Sequence, residues 1–526
     1  MQHCCSVLDA TELPAALHML GSLRRHASAF HWSLLCLSDP PALALAQLRP
    51  ADVAIVRLGA LERRFPALAA ARAGRDTDGC RALLAPFLAA WCLEADPAIA
   101  RISVLPPTVA FYGDPRAALE ALGADAIGVV AARDGSADWL SWPAGERRCV
   151  DDHQAAALAG DDVGASALMA RWQALGARVA PLAHPGAHAG AARLETDGIA
   201  ARDGALWCGS APLLWFRFEH VTVSAQRTYA AALPGGGATA PALRLLYRPY
   251  FTALVTEARA LAARFAALAL GPPPAPAPAA PTTPEWAMQP EGWRDEPEDA
   301  GGWSDEGVNQ LRLHRLLDVA ARLATTAPVD FLAWRYCIIQ DFVHAVTRAA
   351  HGRASVSVLD WGGGLGEYAL YLRALWPELT VDYHVREVPA VCDYGRAATP
   401  DITFHETNEA AFARRYDVVF AATALQYEFD WQTALVRLVD AAERFVLLTR
   451  VPMVVGRPTF VVRQCPQLYG GTTSYQSWVF NQQALLQVLG GAPVTLLRET
   501  LVDERIVIPD APEQPISRGL LLARRN

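Results

Sequence analysis

Lysine is absent from the 526-residue sequence, so all 46 of its basic residues are arginine. This absence excludes enzymes that form a Schiff base through a lysine, including those that use pyridoxal phosphate, and it excludes a P-loop lysine. A bound phosphate would have to be held by backbone amides, helix N-termini or arginine. Because the net charge is −8, the chain also lacks the positive field that draws proteins to nucleic acids or anionic membranes.

Cysteine pairs and membrane-spanning runs are also missing. The ten cysteines are scattered without a C-x-x-C pair, which is typical of reduced, buried thiols and not of a disulfide framework or a zinc site. The histidines do not pair with carboxylates at ligand spacing, so we predict no metal site. The N-terminus lacks the pattern of a signal peptide, and the apolar run Ala82–Leu93 is too short to cross a bilayer. We therefore expect a cytoplasmic protein without a membrane span.

Proline and alanine mark the clearest division of the chain. The stretch Gly271–Trp303 begins "GPPPAPAPAAPTTP", a composition that favours extended polyproline conformations and cannot fill a core. A chain of this length is also expected to form two or more domains. We predict a first domain at 1–268, a Pro/Ala-rich linker at 269–302 and a second domain at 303–526.

The second domain alternates strand-like and helix-like segments. Five runs predict strands: "VSVLDW", "TVDYHVRE", "DITFH", "YDVVFAA" and "RFVLLTR". Segments with helical periodicity, such as "GEYALYLRALW" and "WQTALVRLVDAA", lie between several of them. This alternation predicts a parallel, doubly wound α/β sheet, whose ligands bind at the carboxyl ends of the strands.

A glycine-rich stretch, "VLDWGGGLGEY", includes the end of the first of these strands. Its glycines are Gly362, Gly363, Gly364 and Gly366. The dinucleotide pattern G-x-G-x-x-G would require a third glycine at the position of Glu367. S-adenosylmethionine is the other cofactor commonly held at such a turn. It has no pyrophosphate but carries a cationic amino group, which Asp360, directly before the loop, is suited to hold.

A second acidic residue strengthens this interpretation. Glu387 ends the next predicted strand, about 20 residues after the loop, where a carboxylate can accept hydrogen bonds from both ribose hydroxyls. The alternative is a glycine turn with one solvated glutamate. The order strand, loop, helix, strand and acid favours the cofactor site.

The motif "LDWGGGLG" resembles the first motif of class I S-adenosylmethionine-dependent methyltransferases, with Glu387 as the ribose-binding acid. More narrowly, "LDWGGGLGEY", "REVPAV", "DVVFAATALQY", "VLLTRVP" and "SYQSWVFN" are similar to segments of a methyltransferase family often encoded among surface-polysaccharide biosynthesis genes. These segments cover most of 303–497. The resemblance implies a Rossmann-like, seven-stranded sheet whose last strand is antiparallel, and S-adenosylmethionine as the cofactor.

The resemblance also carries a set of cofactor-binding positions. They are Asp360, Gly362, Gly363, Gly364, Gly366, Glu387, Asn408 and Gln426. By position, Asn408 or Glu406 would approach the adenine. Gln426 and Tyr427 follow the fourth strand, where the class places residues that face the reacting methyl group.

A methyl transfer to a hydroxyl needs a base to remove the proton. Candidates that the sequence does not rank are His384, His405, Glu406, Asp430 and Tyr475. We take His405, Tyr427 and Tyr475 as the candidate catalytic residues.

The segment Arg463–Asn481 combines Tyr475, Trp478 and amide side chains around the pair Gly470-Gly471. Aromatic and amide groups suit a carbohydrate or similar polar acceptor, and the glycines would then hinge a lid. Alternatively, the aromatic side chains plug the edge of the sheet. The sequence leaves both interpretations open.

The first domain resembles GT-A-type nucleotide-sugar glycosyltransferases, through its strand–helix–strand start and its helix "LHMLGSLRRH". In that family, the equivalent of "SVLPPTVAFYGDP" carries an Asp-x-Asp that binds a divalent metal and the sugar-nucleotide diphosphate. Here the matching positions are Pro106, Pro107 and Thr108, which offer a metal no carboxylate. A later segment with His220 also resembles the family. The resemblance therefore implies a GT-A-like α/β domain that is non-catalytic or independent of metal.

The first hypothesis for function is a methyltransferase that modifies a glycan, a glycan precursor or a small molecule in surface-polysaccharide assembly, with polysaccharide-assembly proteins as partners. The alternatives are a glycosyltransferase acting through the first domain and a non-catalytic scaffold. The missing acidic pair at 106–108 speaks against the glycosyltransferase. The intact Asp360, glycine loop and Glu387 speak against a complete loss of function.

Overall fold

The chain forms two compact α/β units in the computed structural model, Met1–Ala275 and Pro276–Asn526. The structure describes residues 2–27, 29–131, 135–182, 184–187, 190, 194, 197–219, 221–224, 226–231, 240–266, 268, 270, 285–294, 302–325, 333–466 and 473–525. His220, the pair Gly470-Gly471 and most of the predicted linker lie outside these residues. In the described part of the chain, no helix has the length and hydropathy needed to cross a membrane.

The first unit is built on a seven-stranded sheet. Its strands are β1 (Gln2–Leu8), β2 (Phe30–Cys36), β3 (Val53–Arg57), β4 (Arg101–Val104), β6 (Ile127–Ala131), β7 (Ala137–Pro143) and β8 (Val179–Pro181), in the spatial order β3-β2-β1-β4-β7-β6-β8. All neighbours are parallel except at β7, which is antiparallel to both β4 and β6. Both faces of this sheet are covered, because residues of β1 and β2 belong to two separate buried clusters.

Smaller sheets complete the first unit. β5 (Val109–Phe111) pairs with β12 (Trp215–Arg217), and β13 (Val221–Val223) pairs with β14 (Tyr229–Ala231). A three-stranded sheet is formed by β9 (Ile199–Arg202), β10 (Ala205–Cys208) and β11 (Ala211–Pro212). The helices are α1 (Leu13–His26), α2 (Asp39–Leu48), α3 (Leu58–Arg64), α4 (Ala67–Arg72), α5 (Thr77–Ala95), α6 (Arg116–Leu122), α7 (Arg147–Ala159), α8 (Ala165–Ala174), α9 (Ala240–Ala242) and α10 (Arg248–Arg264). A π-helical turn, Leu243–Tyr247, leads into α10.

The second unit has a ten-stranded sheet. Its strands are β15 (Trp286–Met288), β16 (Ser355–Trp361), β17 (Thr380–Arg386), β18 (Thr403–His405), β19 (Tyr416–Ala422), β20 (Ala442–Val454), β21 (Phe460–Gln464), β22 (Tyr475–Asn481), β23 (Val494–Leu501) and β24 (Ile516–Arg524). Its helices are α11 (Glu306–Leu323), α12 (Ala333–Ala350), α13 (Glu367–Leu375), α14 (Pro389–Ala398), α15 (Asn408–Ala411), α16 (Trp431–Ala441) and α17 (Gln482–Gly490).

Seven of these strands form the sheet that the resemblance implied. They run in the order β18-β17-β16-β19-β20-β24-β23, and β24 is antiparallel to β20. The other three strands, β15, β21 and β22, extend the sheet beyond the expected seven. The segment 286–288 was predicted as part of the linker, and in the structure it pairs with β21.

The strand β20 changes its neighbours part-way along. Its first half pairs in parallel with β19, and its last two residues, Met453 and Val454, pair with β22. Arg450 lies between these halves with a φ of 55°, where the register with β24 also shifts. An irregularity of this kind bends a strand and redirects a side chain. It positions Arg450 at the carboxyl ends of the parallel strands.

At the turn from β16 into α13, the backbone conformation and the nearby side chains leave little room for a side chain at Gly366. Gly366 has a φ of 83°, and a Cβ atom at this residue would lie 2.4 Å from the Cδ1 atom of Ile402. Gly352 has a similar φ of 74° but no neighbour within 4 Å of a Cβ atom. We predict that Gly366→Ala and Gly352→Ala each lower the free energy of unfolding by about 1–2 kcal/mol, because alanine is unfavourable in the left-handed region.

The clash with Ile402 should add roughly 1–3 kcal/mol to the cost of Gly366→Ala alone. Differential scanning calorimetry of the full chain should show a lower melting temperature for Gly366→Ala than for Gly352→Ala. Equal melting temperatures would mean that Ile402 does not constrain the turn.

Candidate active site

A cleft of about 540 Å³ opens at the carboxyl ends of the parallel strands in the second unit. This is the edge at which open α/β sheets bind ligands. Asp360, the glycine loop and Glu387 line one end of the cleft, and Tyr427 and Tyr475 line the other. The helix α11 contributes a further part of the wall.

The glycine loop lies directly on the carboxyl group of Asp360. Gly362 and Gly364 have φ values of 74° and 59°, in the left-handed region that favours glycine. Gly363 has an ordinary φ, but a Cβ atom there would lie 2.4 Å from the carboxyl carbon of Asp360. The bare backbone therefore serves two purposes, because it makes the tight turn and leaves room for the buried acid beneath it.

Asp360 is a buried acid with an unused acceptor. Its side chain is 1% exposed, and its Oδ2 atom accepts a hydrogen bond of 2.7 Å from the hydroxyl of Tyr383. The Oδ1 atom has no hydrogen-bond partner within the described residues. The pKa of Asp360 is raised to about 7, mainly by burial and also by the carboxylates of Glu387 and Glu367, and the Tyr383 hydrogen bond opposes the rise. A cationic group at Oδ1 would compensate for the cost of burying this charge.

Glu387 is fixed against the same loop from the neighbouring strand. Its Oε1 atom accepts from the backbone N–H of Gly364 at 3.1 Å, and its Oε2 atom accepts from the N–H of Val388 at 3.0 Å. Its own N–H donates to the carbonyl of His405 at 3.0 Å. The carboxylate is therefore held at the cleft wall, and each oxygen has a second lone pair for a ligand hydroxyl.

Two left-handed residues, Thr423 and Arg450, line the cleft. Thr423, just after β19, has a φ of 56°, and its N–H donates to the carbonyl of Thr449, the residue before Arg450. A β-branched residue in this region is a genuine outlier, and each such residue costs about 1–3 kcal/mol. The Thr423 hydroxyl is buried without a hydrogen-bond partner among the residues that the structure describes. Strain of this kind concentrates at functional sites.

Arg450 is held rigidly by an acid behind it. Its Nε atom donates to Glu504 at 3.0 Å, and its Nη2 atom donates to the other oxygen of the same carboxylate. Burial alone would lower the pKa of Arg450, but hydrogen bonding to Glu504 raises it. The guanidinium lies close enough to the phenols of Tyr368 and Tyr427 to interact with them electrostatically.

Aromatic and amide side chains form the far end of the cleft. Trp303 stacks on Tyr475 with ring centroids 4.0 Å apart, and the guanidinium of Arg312 lies 5.0 Å from the Trp303 centroid. The hydroxyl of Tyr427 donates to the Oε1 atom of Gln464 at 2.6 Å, and the Gln464 amide donates to Glu285 at 3.4 Å. This end can stack against a ring and hydrogen-bond polar groups.

One face of α11 covers part of the cleft. The helix begins after Asp305, whose side chain accepts from the N–H of Val308. Its cleft-lining residues at helical spacing are Arg312, Arg315, Leu316, Asp318, Val319 and Arg322. The Nε atom of Arg315 lies 3.2 Å from the Oε2 atom of Glu367, which joins the helix to the start of α13.

Four predicted site residues do not border the cleft. Gly366 lies in the turn directly before α13, and the other three are Asn408, Gln426 and His405. Asn408 accepts a hydrogen bond of 2.9 Å from the indole of Trp361, and the amide nitrogen of Gln426 donates to the carbonyl of Arg450 at 3.4 Å. The Nε2 atom of His405 hydrogen-bonds to Nδ1 of His384 at 2.9 Å, and His384 in turn meets Asp382. Burial lowers the pKa of His405, and so does His384. These three residues support the cleft walls and do not face the cleft.

Of the bases suggested by the sequence, Tyr475 lies at the cleft. Glu406 pairs with Arg396 at 2.8 Å, and Asp430 accepts from the N–H of Thr433 as the cap of α16. Tyr475 belongs to the strand β22, so the segment 475–481 forms part of the sheet. The predicted glycine hinge at 470–471 lies outside the described residues.

The sequence reasoning missed several groups at the cleft. Tyr383 on β17 is paired with Val358 on β16. Because Val358 lies two residues before Asp360 on the same strand, Tyr383 and Asp360 lie on the same face of the sheet. Strand alternation could have indicated this contact. The α11 face could have been found from its helical spacing. Thr423 and Arg450 left no signal, because their left-handed backbones depend on strand pairing.

No protein-family model and no curated protein matches this sequence. Solved structures match parts of it. Magnesium protoporphyrin IX methyltransferase from Synechocystis PCC 6803, crystallised with S-adenosylhomocysteine, is 19% identical, and the match covers 40% of this chain and 94% of that one with a TM-score of 0.27.

Two further matches are similarly distant. The N-methyltransferase NodS from Bradyrhizobium japonicum WM9 is 12% identical over 40% of this chain and 98% of that one, with a TM-score of 0.25. An amino pentose methyltransferase of calicheamicin biosynthesis from Micromonospora echinaspora is 12% identical over 38% of this chain and 100% of that one, with a TM-score of 0.24. At these sequence identities and TM-scores, the similarity carries no information about the reaction.

The buried carboxyl of Asp360 gives a prediction about pH. Its pKa of about 7 in the folded protein lies above the ordinary aspartate value of 3.8, so stability is lost as the pH rises between these values and the burial cost is complete above pH 7. Asp360→Asn removes that cost. We predict an increase in melting temperature at pH 5.5 and a larger increase at pH 8.5, by roughly 2–4 °C for each kcal/mol gained.

The measurement is differential scanning calorimetry of both proteins at the two pH values. The same difference in melting temperature at pH 5.5 and pH 8.5 would show that Asp360 does not titrate in this range.

Proposed function

We propose that the second unit binds S-adenosylmethionine and transfers its methyl group to an acceptor. The observation that carries the proposal is the arrangement of Asp360, the glycine loop and Glu387 around one end of the cleft. The Oδ1 atom of Asp360, buried and without a partner among the described residues, suits the amino group of the cofactor. The glycine loop allows the cofactor to approach the backbone closely. The Glu387 carboxylate, held against this loop, can accept hydrogen bonds from two ribose hydroxyls.

The residues present fit this cofactor better than a dinucleotide. A pyrophosphate in this loop would meet the carboxylates of Asp360 and Glu387 at the cleft wall, and like charges so close are unfavourable. The third glycine of the dinucleotide pattern is replaced by Glu367, whose carboxylate is held by Tyr371 at 3.0 Å and by Arg315. The charges of this end of the cleft therefore suit a cationic ligand.

The cofactor, when bound, would supply a methyl group on an electrophilic sulfonium. Asp360 and Glu387 would orient it by its two polar ends. Tyr427 and Tyr475 would orient the acceptor at the other end, and α11 with the Trp303–Tyr475 stack would exclude water. For a hydroxyl acceptor, the phenolate form of Tyr427 or Tyr475 would take the proton and become the neutral phenol.

We propose a glycan, a glycan precursor or a small polar molecule as the acceptor, in surface-polysaccharide biosynthesis in the cytoplasm, with assembly proteins as partners. The aromatic rings, Gln464 and Glu285 at the far end of the cleft support a sugar-like ligand, because sugars combine apolar ring faces with hydroxyl groups. The sequence resemblance supports the pathway.

For the first unit we propose a GT-A-like fold without metal-dependent catalysis. The mostly parallel seven-stranded sheet and the small β5–β12 sheet are compatible with it. The segment 106–108 connects β4 to β5, so Pro106, Pro107 and Thr108 occupy the carboxyl end of β4 where a metal would need carboxylates. A glycosyltransferase or a scaffold remains the alternative function, and a metal-dependent shift in melting temperature with nucleotide sugars would favour the former.

The role of Glu387 can be tested with one matched pair of substitutions. Glu387→Gln removes the charge that would accept the ribose hydroxyls, and we predict a loss of about 1.5–3 kcal/mol in affinity for S-adenosylhomocysteine, at least tenfold. Glu409→Gln removes an exposed carboxylate that does not line the cleft, and its affinity should equal that of the wild type.

Isothermal titration calorimetry of the full chain provides the measurement. Wild-type affinity in a folded Glu387→Gln variant would refute the ribose assignment. No binding by the folded wild type would refute the proposed function as a whole.

A further inference from the structure

We propose that Tyr383 is a positioning residue for the cofactor, because its hydroxyl holds one oxygen of Asp360 and leaves the other oxygen to the amino group of S-adenosylmethionine. This inference rests on the proposed cofactor binding and adds a residue to it. Tyr383 is not among the described residues that line the cleft, so it would act on the cofactor through Asp360. Its loss should change the pH range in which the cofactor binds.

The first argument is the contact between the two side chains. The Tyr383 hydroxyl donates to the Oδ2 atom of Asp360 over 2.7 Å, a normal length for a hydrogen bond between two oxygens. Both residues are buried, with exposed fractions of 2% and 1%. A hydrogen bond to a charged group in such surroundings is stronger than one at the surface. Tyr383 therefore holds the Asp360 carboxyl group firmly.

The second argument is that the sheet and α12 hold the Tyr383 ring in place. Tyr383 is paired with Val358 on β16. Its ring meets Phe342 of α12 edge-on, with ring centroids 6.5 Å apart, and the three residues belong to one buried cluster. A side chain locked by packing is already in its working position when a ligand binds, so little entropy is lost in ordering it.

The third argument is what remains for a ligand. Asp360 lines the cleft, and its Oδ1 atom has no hydrogen-bond partner among the described residues. The backbone of Gly363 lies against the same carboxyl group, which leaves it little room to turn. Because Tyr383 occupies Oδ2, Oδ1 is the oxygen that can accept a hydrogen bond from an ammonium group.

The groups that face Asp360 explain why one hydroxyl matters. The pKa of Asp360 is raised to about 7, mainly by burial, while the Tyr383 hydrogen bond lowers it and the carboxylates of Glu387 and Glu367 raise it. Tyr383 is therefore the member of this group that favours the charged carboxylate. A carboxylate attracts the ammonium group of the cofactor, and a protonated carboxyl group does not.

The groups that face Tyr383 keep it a donor. Burial raises the pKa of Tyr383 well above its ordinary value, Asp360 and Tyr368 also raise it, and Arg373 opposes the rise. The phenol therefore keeps its proton at every pH at which Asp360 changes its charge.

The experiment is a calorimetric titration of the full-length protein with S-adenosylhomocysteine at pH 5.5, 6.5, 7.5 and 8.0. This probe carries the same amino group as the cofactor. The affinity of the wild type should rise with pH and level off near the Asp360 pKa of about 7, because the charged carboxylate is the form that pairs with the ammonium group.

In Tyr383→Phe, the pH at which the affinity levels off should move up by about one to two units, since the charged form of Asp360 loses its hydrogen bond. The affinity should fall by about fivefold or more at pH 6.5 and by a smaller factor at pH 8.0. No loss, or the same loss at every pH, would overturn the proposal, because a purely structural defect would not depend on the charge of Asp360.

Two further variants assign the effect to the contact with Asp360. Tyr416→Phe removes another buried hydroxyl of the same sheet, which donates to the carbonyl of Ala411 over 2.9 Å, and its affinity should stay within twofold of the wild type at each pH. In an Asp360→Asn protein, Tyr383→Phe should change the affinity by less than twofold. A Tyr383→Phe effect that persists without the Asp360 carboxylate would contradict the assignment.

Two replacements that keep the size of the side chain complete the test. Tyr383→4-fluorophenylalanine fills the space of the hydroxyl without a donor, so it should show the same upward shift and serves if Tyr383→Phe does not fold. Tyr383→4-aminophenylalanine restores a donor and should move the pH dependence back towards that of the wild type. The absence of either result would overturn the proposal.

The same titrations separate this inference from the proposed function. A folded wild type that binds no S-adenosylhomocysteine at any of these pH values contradicts the proposed function. Binding whose pH dependence is unchanged in Tyr383→Phe contradicts only the role of Tyr383.

Discussion

The second unit depends on one close contact, the packing of a glycine backbone onto the buried carboxyl group of Asp360. The contact allows no side chain at Gly363, since a Cβ atom would overlap the acid. It also leaves one carboxylate oxygen without a partner in the described part of the chain. Burying a charge in this way is costly unless a ligand or a proton compensates. The loop, the strand register that brings Tyr383 to the acid and the position of Glu387 all follow from this arrangement.

A second constraint lies at the irregularity in β20. The strand has to pair with β19 in its first half and with β22 in its second, and the backbone adjusts at Arg450. The three added strands β15, β21 and β22 thereby bring Tyr475 and Gln464 to the cleft. The insertion contributes Tyr475 and Gln464 to the cleft, while the seven-stranded core contributes Asp360, the glycine loop and Glu387.

The sequence was informative where local pattern determines structure. The strands β16 to β20, the helices α13 and α16, and the glycine loop could be predicted because apolar periodicity and glycine spacing act over short distances. The antiparallel last strand was predicted from resemblance and is confirmed. His405, Asn408 and Gln426 were placed by order along the chain, which cannot tell whether a side chain faces the cleft or the wall behind it. Thr423, Arg450 and the added strands depend on pairing between distant segments, so no local pattern indicated them.

A crystal structure of the full-length protein with S-adenosylhomocysteine tests the central claim most directly. The account predicts the amino group of the ligand within hydrogen-bonding distance of the Oδ1 atom of Asp360 and both ribose hydroxyls on the carboxylate of Glu387. A ligand bound elsewhere, or bound in this cleft without these two contacts, would contradict it.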